Sequence, residues 1–180
     1  MRVMEMENKT NISDDVIEEL RFLSKEDILL ILSIGKTPSS NIRIEKTALL
    51  ISDPLGIEID AVPYKYGMFS ETIYEKLHDE SLWKFIRRQN GKSALTKEGQ
   101  QAYDYLLEKL KANGKEEAIR LLEAINKLSD EDLVAISYHL FPESKLESEI
   151  KDRVERRIQE LKKNSAVHAK VEDDRIVIEI

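Results

Sequence analysis

The chain of 180 residues contains no cysteine, and this absence excludes several kinds of chemistry. Disulfide bonds, thiolate catalysis, iron–sulfur clusters and cysteine-ligated zinc all need that residue. No apolar run approaches the roughly 20 residues that a membrane-spanning helix requires. Residues 1–9 alternate charged side chains with methionines and lack the apolar block of a signal peptide. We therefore expect a soluble, cytoplasmic protein that has no membrane partner.

Motifs for catalysis, cofactors and metals are also missing. The sequence has no phosphate-binding loop, no dinucleotide fingerprint and no Gly-x-Ser-x-Gly elbow. Its three histidines, His78, His139 and His168, lack the i, i+4 spacing of a helical zinc pair. Ser70 and Ser129 each precede a predicted helix, so helix capping explains them without a nucleophilic role. We predict a protein that is not an enzyme and that holds no metal or cofactor.

Charged residues make up 35% of the chain, and the net charge is −7. The net charge is −3 over residues 1–23, zero over 24–111 and −4 over 112–180. An acidic protein is a poor non-specific binder of polyanions, so any phosphate contact has to come from a local basic patch. Abundant lysine and glutamate without cysteine is also typical of proteins from thermophiles.

Apolar spacing and capping residues predict that most of the chain is helical. We expect Asp53-Pro54 to end the third helix, residues 55–65 to be irregular or extended, and Ile73, Tyr74 and Leu77 to face inward. The predicted helices cover residues 14–23, 25–34, 42–52, 71–79, 97–110, 115–128, 129–140 and 146–163.

Two segments predict β-hairpins. Asn90-Gly91 is a favoured two-residue turn, and it lies between the β-forming stretch 82–88 and the return strand 92–95. Alternating apolar residues in 166–180 surround Asp173-Asp174 and predict a terminal hairpin.

The order of three short helices, a hairpin and a long helix is that of a winged helix-turn-helix. We predict a mainly α fold with small β-hairpins, in which a polar segment (1–23) precedes a winged-helix-like domain (24–111) and a helical extension (112–180).

The first hairpin is the most basic part of the sequence. In a winged helix such a hairpin can lie along the DNA backbone, where cationic side chains contact phosphates. Against this, the helix expected to enter the major groove, 71–79, is acidic. Two alternatives stay open: a basic rim that suits an acidic protein partner, and a solvated hairpin whose Trp83 and Phe85 are core residues. The candidate phosphate contacts are Lys84, Arg87, Arg88 and Lys92 on the hairpin, with Arg43 and Lys46 on a helix.

Four short segments resemble the YwgA-like and Panacea (SocA antitoxin-like) family of archaeal and bacterial proteins. The second of them resembles that family's Tyr-x-Tyr-Gly-Pro-Phe-Ser stretch, with Met68 in place of proline. The resemblance implies a winged-helix-like or compact helical domain, and related proteins act as antitoxins or regulators. The segments are Ile44-Glu45-Lys46-Thr47-Ala48-Leu49-Leu50, Tyr64-Lys65-Tyr66-Gly67-Met68-Phe69-Ser70, Leu95-Thr96-Lys97-Glu98-Gly99, and Phe141-Pro142-Glu143 with Lys145 and Ser148-Glu149-Ile150.

These observations lead to two functional expectations. The first is a DNA-binding, transcription-regulator-like protein that uses the basic hairpin, with a homodimer formed through residues 97–110 or 146–161 to present two wings. The alternative is an antitoxin-like interaction module that binds a protein partner through Tyr64, Tyr66 and Phe69.

Overall fold

The computed structural model describes residues 12–164 and 167–180, and these form a mainly helical protein with small antiparallel hairpins. The helices are α1 (Asp14–Leu20), α2 (Lys25–Ile34), α3 (Asn41–Leu55), α4 (Glu71–Leu77), α5 (Lys97–Ala112), α6 (Glu116–Asn126), α7 (Asp130–Leu140) and α8 (Lys151–Asn164). The strands are β1 (Ala61–Tyr64), β2 (Gly67–Ser70), β3 (Ile86–Gln89), β4 (Lys92–Leu95), β5 (His168–Glu172) and β6 (Arg175–Glu179). Short 3-10 helices cover Glu80–Leu82 and Pro142–Lys145.

Local capping explains the helix starts. Ser24 and Asp27 form a capping box at α2, in which the Ser24 hydroxyl accepts from the Asp27 N–H at 3.1 Å. The bounds predicted for this helix are confirmed. Helix α1 ends at Leu20, three residues before the predicted end, because the chain must become extended at Ser24 to cap α2. Ser13 precedes α1 and is a residue type that favours capping, but its side chain makes no capping hydrogen bond.

Helix α3 is longer than predicted. Pro54 lies inside its last turn, so the expectation that Asp53-Pro54 ends this helix is wrong. The helix ends at Leu55, and the left-handed backbone of Gly56 (φ +71°) lets the Ile57 N–H bond to the Ser52 carbonyl at 2.9 Å. The extra turn carries the chain to the start of β1.

Three two-stranded sheets are present in the described residues. The β3–β4 hairpin turns at Asn90-Gly91, and both residues have positive φ, as the sequence predicted. The β5–β6 hairpin confirms the predicted terminal hairpin. The β1–β2 hairpin was not predicted as such, because residues 55–65 were expected to be irregular or extended. Ser39 also pairs with Ser93 of β4, through N–H to carbonyl bonds of 2.8 and 2.9 Å.

One hydrophobic cluster joins the two halves of the chain. It contains buried side chains from α1 to α7, and half-buried residues of β5 and β6 pack against it. A smaller cluster of Ala135, Tyr138, Val154 and Ile158 joins α7 to α8. The apolar stripe of α8 therefore packs within the chain. The sequence spaces Leu146, Ile150, Val154, Ile158 and Leu161 as one apolar stripe of a helix, but Leu146 precedes α8 and is 74% exposed.

None of the helices within residues 12–164 and 167–180 has both the length and the apolar character needed to cross a membrane.

Candidate functional site: an aromatic row beside the basic hairpin

The outer face of the β1–β2 hairpin is apolar and exposed. Val62 pairs with Phe69 and Tyr64 with Gly67, and since side chains alternate along a strand, Val62, Tyr64 and Phe69 share one face. Met68 is buried on the opposite face. Tyr64 is 48% exposed, and Tyr66 lies exposed at the turn. The sequence-predicted partner residues thus lie together on the outer side of the hairpin and at its tip.

Helix α4 extends this surface into what we call the aromatic row, formed by Tyr64, Phe69, Tyr74 and His78. The ring centroids of successive members are 5.4, 5.7 and 4.6 Å apart. His78 follows the last residue of α4, one helical turn after Tyr74, so the two rings lie side by side. Tyr74 is 44% exposed, which makes the prediction that it faces inward wrong. Its i, i+4 spacing to His78 was the sequence signal for this part of the row.

The aromatic row ends at the basic hairpin. The Arg88 guanidinium lies 3.0 Å from His78 Nε2, and His78 Nδ1 lies 2.7 Å from the Tyr74 carbonyl oxygen. Arginine can only donate, so Nε2 accepts and the proton is on Nδ1, which donates to Tyr74. These two bonds fix the orientation of the imidazole ring. They also connect the basic hairpin, the predicted DNA contact, to the aromatic residues, the predicted contact to a protein partner.

The other cations of the hairpin differ in whether they already have an ion-pair partner within the protein. Lys84 is ion-paired with Glu19 at 2.5 Å, whereas Arg87 and Lys92 are exposed on the strands. Trp83 is 64% exposed and Phe85 is buried. The hypothesis that Trp83 and Phe85 are both core residues is therefore right for Phe85 and wrong for Trp83.

The surface around the aromatic row is acidic. Glu71 and Glu75 are exposed on α4, and Glu80 is exposed just after it. Lys76 is the only cation in α4, and its ammonium lies 2.8 Å from Asp27. The hydrogen bond with Asp27 raises the pKa of Lys76, although burial opposes it. The net field over α4 therefore repels phosphates.

Arg43 faces the interior of the protein. It donates to the carbonyl oxygens of Ile125 and Leu128, at 2.8 and 2.9 Å, and to Asp130. These bonds satisfy carbonyl groups at the end of α6. Arg43 was predicted to contact DNA, but its guanidinium is already committed to these groups.

Lys46 is also buried and lies under the β1–β2 hairpin. Its ammonium donates to the Met68 carbonyl oxygen at 2.5 Å. Burial lowers the pKa of Lys46 to about 8, although the neighbouring Glu45 opposes that change. Lys46 was the second predicted helix contact to DNA, and its burial leaves no route to a phosphate.

Carboxylates hold the end of the same strand, β2. Glu45 accepts from the Ser70 N–H at 3.2 Å, and burial raises the pKa of Glu45 to about 7. Asp60 accepts from the Ser70 hydroxyl at 2.5 Å and from the Thr72 N–H at 3.3 Å. The Ser70 hydroxyl also accepts from the Ile73 N–H at 3.2 Å, which confirms Ser70 as the N-cap of α4. This network fixes the hairpin relative to the helix that carries Tyr74.

The segment after α7 supports the hairpin tip. The Glu149 N–H donates to the Lys65 carbonyl at 2.9 Å, and the Tyr138 and Ser148 hydroxyls are 2.7 Å apart. Three of the four segments that carry the family resemblance therefore meet at the β1–β2 hairpin. They are residues 44–50, 64–70 and 141–150. In the fourth segment, Thr96 caps α5 and bonds to the Lys84 carbonyl, so it supports the basic hairpin.

No group of three or more histidine, aspartate or glutamate side chains in the described part of the chain could hold a metal ion. His78, His139 and His168 lie on separate elements. Ser129, like Ser70, caps its helix, and its hydroxyl accepts from the Asp132 N–H at 3.1 Å.

Comparison with known proteins identifies no relative. No protein-family model matches the chain, no curated protein matches it, and no solved structure matches its fold.

Proposed function

We propose that the chain is a protein-interaction module that binds a segment of a protein partner through the aromatic row. The observation that carries this proposal is the continuous row of aromatic rings from Tyr64 to His78, in which Phe69 is half-buried and the other three members are exposed. Exposed aromatic side chains supply large, rigid contact areas, and they are enriched at protein interfaces. The buried network below the row keeps it in place before binding, which reduces the entropy lost on association.

The proposed scaffold is a winged helix built by α2, α3, α4 and the β3–β4 hairpin. The pairing of Ser39 with Ser93 supports this assignment, because it adds a short third strand between α2 and α3, beside β4. In that arrangement α4 occupies the position of the recognition helix. The β1–β2 hairpin is then an insertion immediately before this helix, and it brings Tyr64 and Phe69 to the recognition face.

The charge of this face indicates the chemistry of the partner. Glu71 and Glu75 flank Tyr74, so a partner with cationic side chains is favoured over one with carboxylates or phosphates. An arginine can stack on a tyrosine ring and pair with a neighbouring carboxylate at the same time. We propose that the bound segment alternates basic and apolar side chains.

Peptide titration monitored by NMR tests this proposal. The probes are two ten-residue peptides, one alternating arginine with leucine and the other alternating glutamate with leucine. We expect saturable shifts at residues 62–78 with the arginine peptide only. Tyr64→Ser/Tyr74→Ser should weaken this binding about tenfold or more, since central aromatic side chains each contribute over about 1 kcal/mol.

Phe22→Ser is the matched control, because Phe22 is 83% exposed on a segment outside the row. It should bind the arginine peptide as the wild type does. Equal binding of both peptides, or shifts that map away from residues 62–78, would refute the proposed site.

A second candidate function is DNA binding by the β3–β4 hairpin in a transcription regulator. The exposed Trp83, Arg87 and Lys92 favour it. A salt titration with a random-sequence duplex tests it, and two or three phosphate contacts predict a log–log slope of about −2 to −3. Arg87→Ala/Arg88→Ala should abolish the binding, whereas Arg120→Ala/Lys127→Ala, which removes exposed cations elsewhere, should not. Absence of binding at low salt would remove this candidate.

A further inference from the structure

A pocket of about 250 Å³ lies where α7, α8 and β5 meet. Its floor is apolar. Ala135, Ile136 and Ile158 are buried there, and Leu161, Val167 and Ala169 are half-buried. None of these residues belongs to the aromatic row or to the basic hairpin.

The mouth of the pocket carries ammonium and imidazole side chains. His139 on α7, Lys162 on α8, and His168 and Lys170 on β5 line it, and all four are exposed. No carboxylate is among the described residues that line this pocket. Lys170 is ion-paired with Glu172 at 3.2 Å, and Glu172 lies outside the lining.

Helical spacing explains why floor and mouth differ. His139 follows Ala135 by four residues and Ile136 by three, so it projects from the same face of α7 one turn nearer the surface. Lys162 follows Ile158 by four residues on α8 in the same way. On both helices an apolar side chain therefore lies inside and a cationic or titratable one lies at the opening.

We propose that this pocket binds a small organic acid. The apolar part of the ligand lies on the floor, and its carboxylate contacts the groups at the mouth. The volume suits a ligand of about eight to ten non-hydrogen atoms, because a water molecule occupies roughly 30 Å³ of liquid. Lys162 and Lys170, with no carboxylate in the described lining, favour an anion over a neutral or cationic molecule of the same shape, although Glu172 offsets part of the charge of Lys170.

Three matched probes test the charge and the shape of the ligand separately. Octanoate, octanamide and octylammonium share one alkyl chain and differ in the charge of the head group. NMR titration of the full chain should give saturable shifts at the lining residues, with octanoate binding at least about fivefold tighter than octanamide. Octylammonium should bind weakest.

Two variants assign the effect to the pocket. Lys162→Gln/His168→Gln should weaken octanoate binding about fivefold and leave octanamide binding unchanged, since it removes the charge of Lys162 and keeps a polar side chain at both exposed positions. Lys163→Gln is the matched control, because Lys163 neighbours Lys162 on α8 but does not line the pocket. Ala169→Phe should block all binding by filling the floor.

Three results would overturn the proposal. The first is equal affinity of the pocket for octanoate and octylammonium. The second is a loss of octanoate affinity in Lys163→Gln as large as that in the double variant. The third is the absence of a saturable NMR shift with any of the three probes.

Discussion

At the scale of the residue, Gly67 shows how one position can be constrained twice. Its φ of +91° lies in the region that favours glycine. A β-carbon there would also lie 2.5 Å from Tyr138 Cε2 and 3.3 Å from Lys46 Nζ. The turn at the hairpin tip and its packing on α3 and α7 therefore need the same residue.

Gly67→Ala should lower the free energy of unfolding by about 2 to 4 kcal/mol, because backbone strain adds to an overlap in the core. Urea unfolding measures the change. Gly91→Ala is the control, since its φ is +73° but a β-carbon there meets nothing within 4 Å. It should lose only about 1 kcal/mol. Equal losses would mean that the overlap at Gly67 is relieved at little cost.

The buried Glu45 gives a prediction about pH. Its pKa is about 7 in the folded state, against an ordinary value of 4.5, because burial disfavours the charged carboxylate. The folded state thus binds the proton more tightly than the unfolded state. The contribution of Glu45 to stability is complete below pH 4.5 and is lost as the pH rises towards 7.

The free energy of unfolding of the wild type should therefore fall relative to that of Glu45→Gln as the pH rises from 4.5 to 7, by roughly 2 kcal/mol. Urea unfolding of both proteins at the two pH values measures this difference. Glu71→Gln, which removes an exposed carboxylate nearby, should leave the pH profile close to that of the wild type. A constant difference between wild type and Glu45→Gln would contradict a raised pKa.

At the scale of the element, α3 connects most of the structure. Near its N-terminal end, Arg43 bonds to the α6–α7 junction, and Glu45 and Lys46 bond to strand β2 of the β1–β2 hairpin. These contacts leave one turn of the helix on different sides, and every residue from Ile44 to Ser52 is buried, so α3 is enclosed nearly all round. Glu45 and Lys46 are tolerated inside because each has a hydrogen-bond partner.

Arg43→Ala should destabilise the protein by about 2 to 3 kcal/mol, because it leaves the Leu128 carbonyl without its donor and removes the side-chain donor of the Ile125 carbonyl and the ion pair with Asp130. Thermal and urea unfolding measure the change. Arg87→Ala removes an exposed arginine and should alter stability by less than about 0.5 kcal/mol. If Arg43→Ala is as neutral as Arg87→Ala, water replaces the guanidinium at this junction.

At the scale of the whole molecule, a single core extends across the predicted boundary between residues 24–111 and 112–180. Leu30 of α2 and Leu122 of α6 belong to the same buried cluster. Half-buried residues of β5 and β6, near the end of the chain, also pack against it. A continuous core makes partial unfolding of either half costly, because it would expose the apolar side chains of the other.

We therefore expect one cooperative unfolding transition. Leu30→Ala and Leu122→Ala should each lower the free energy of unfolding by about 3 kcal/mol and should shift the NMR signals of α2 and α6 together. Trp83 is already exposed in the native state, so tyrosine fluorescence and far-ultraviolet circular dichroism are better probes of this transition. Separate midpoints for the two halves would show that they unfold independently.

Several features could be predicted because they depend on residues close together in sequence. Ser24 with Asp27, Thr96 with Gly99, and the Asn90-Gly91 turn each act within about four residues, so their pattern indicates the structure directly. The absence of cysteine chemistry follows from composition alone. By itself, the sequence thus determined the helical class, most helix starts and two of the three described hairpins.

Tertiary packing decided which cationic and aromatic side chains are buried and where the β1–β2 hairpin lies. Arg43 and Lys46 read as exposed cations, but their partners are 82 and 22 residues away along the chain. Tyr74 lies next to buried Ile73 on α4, and only the position of the β1–β2 hairpin shows that its ring continues an exposed row. That hairpin consists of two four-residue strands, and contacts from Glu45, Lys46 and Glu149 hold it in place. Such contacts leave no periodic trace in the sequence, because they join segments distant along the chain.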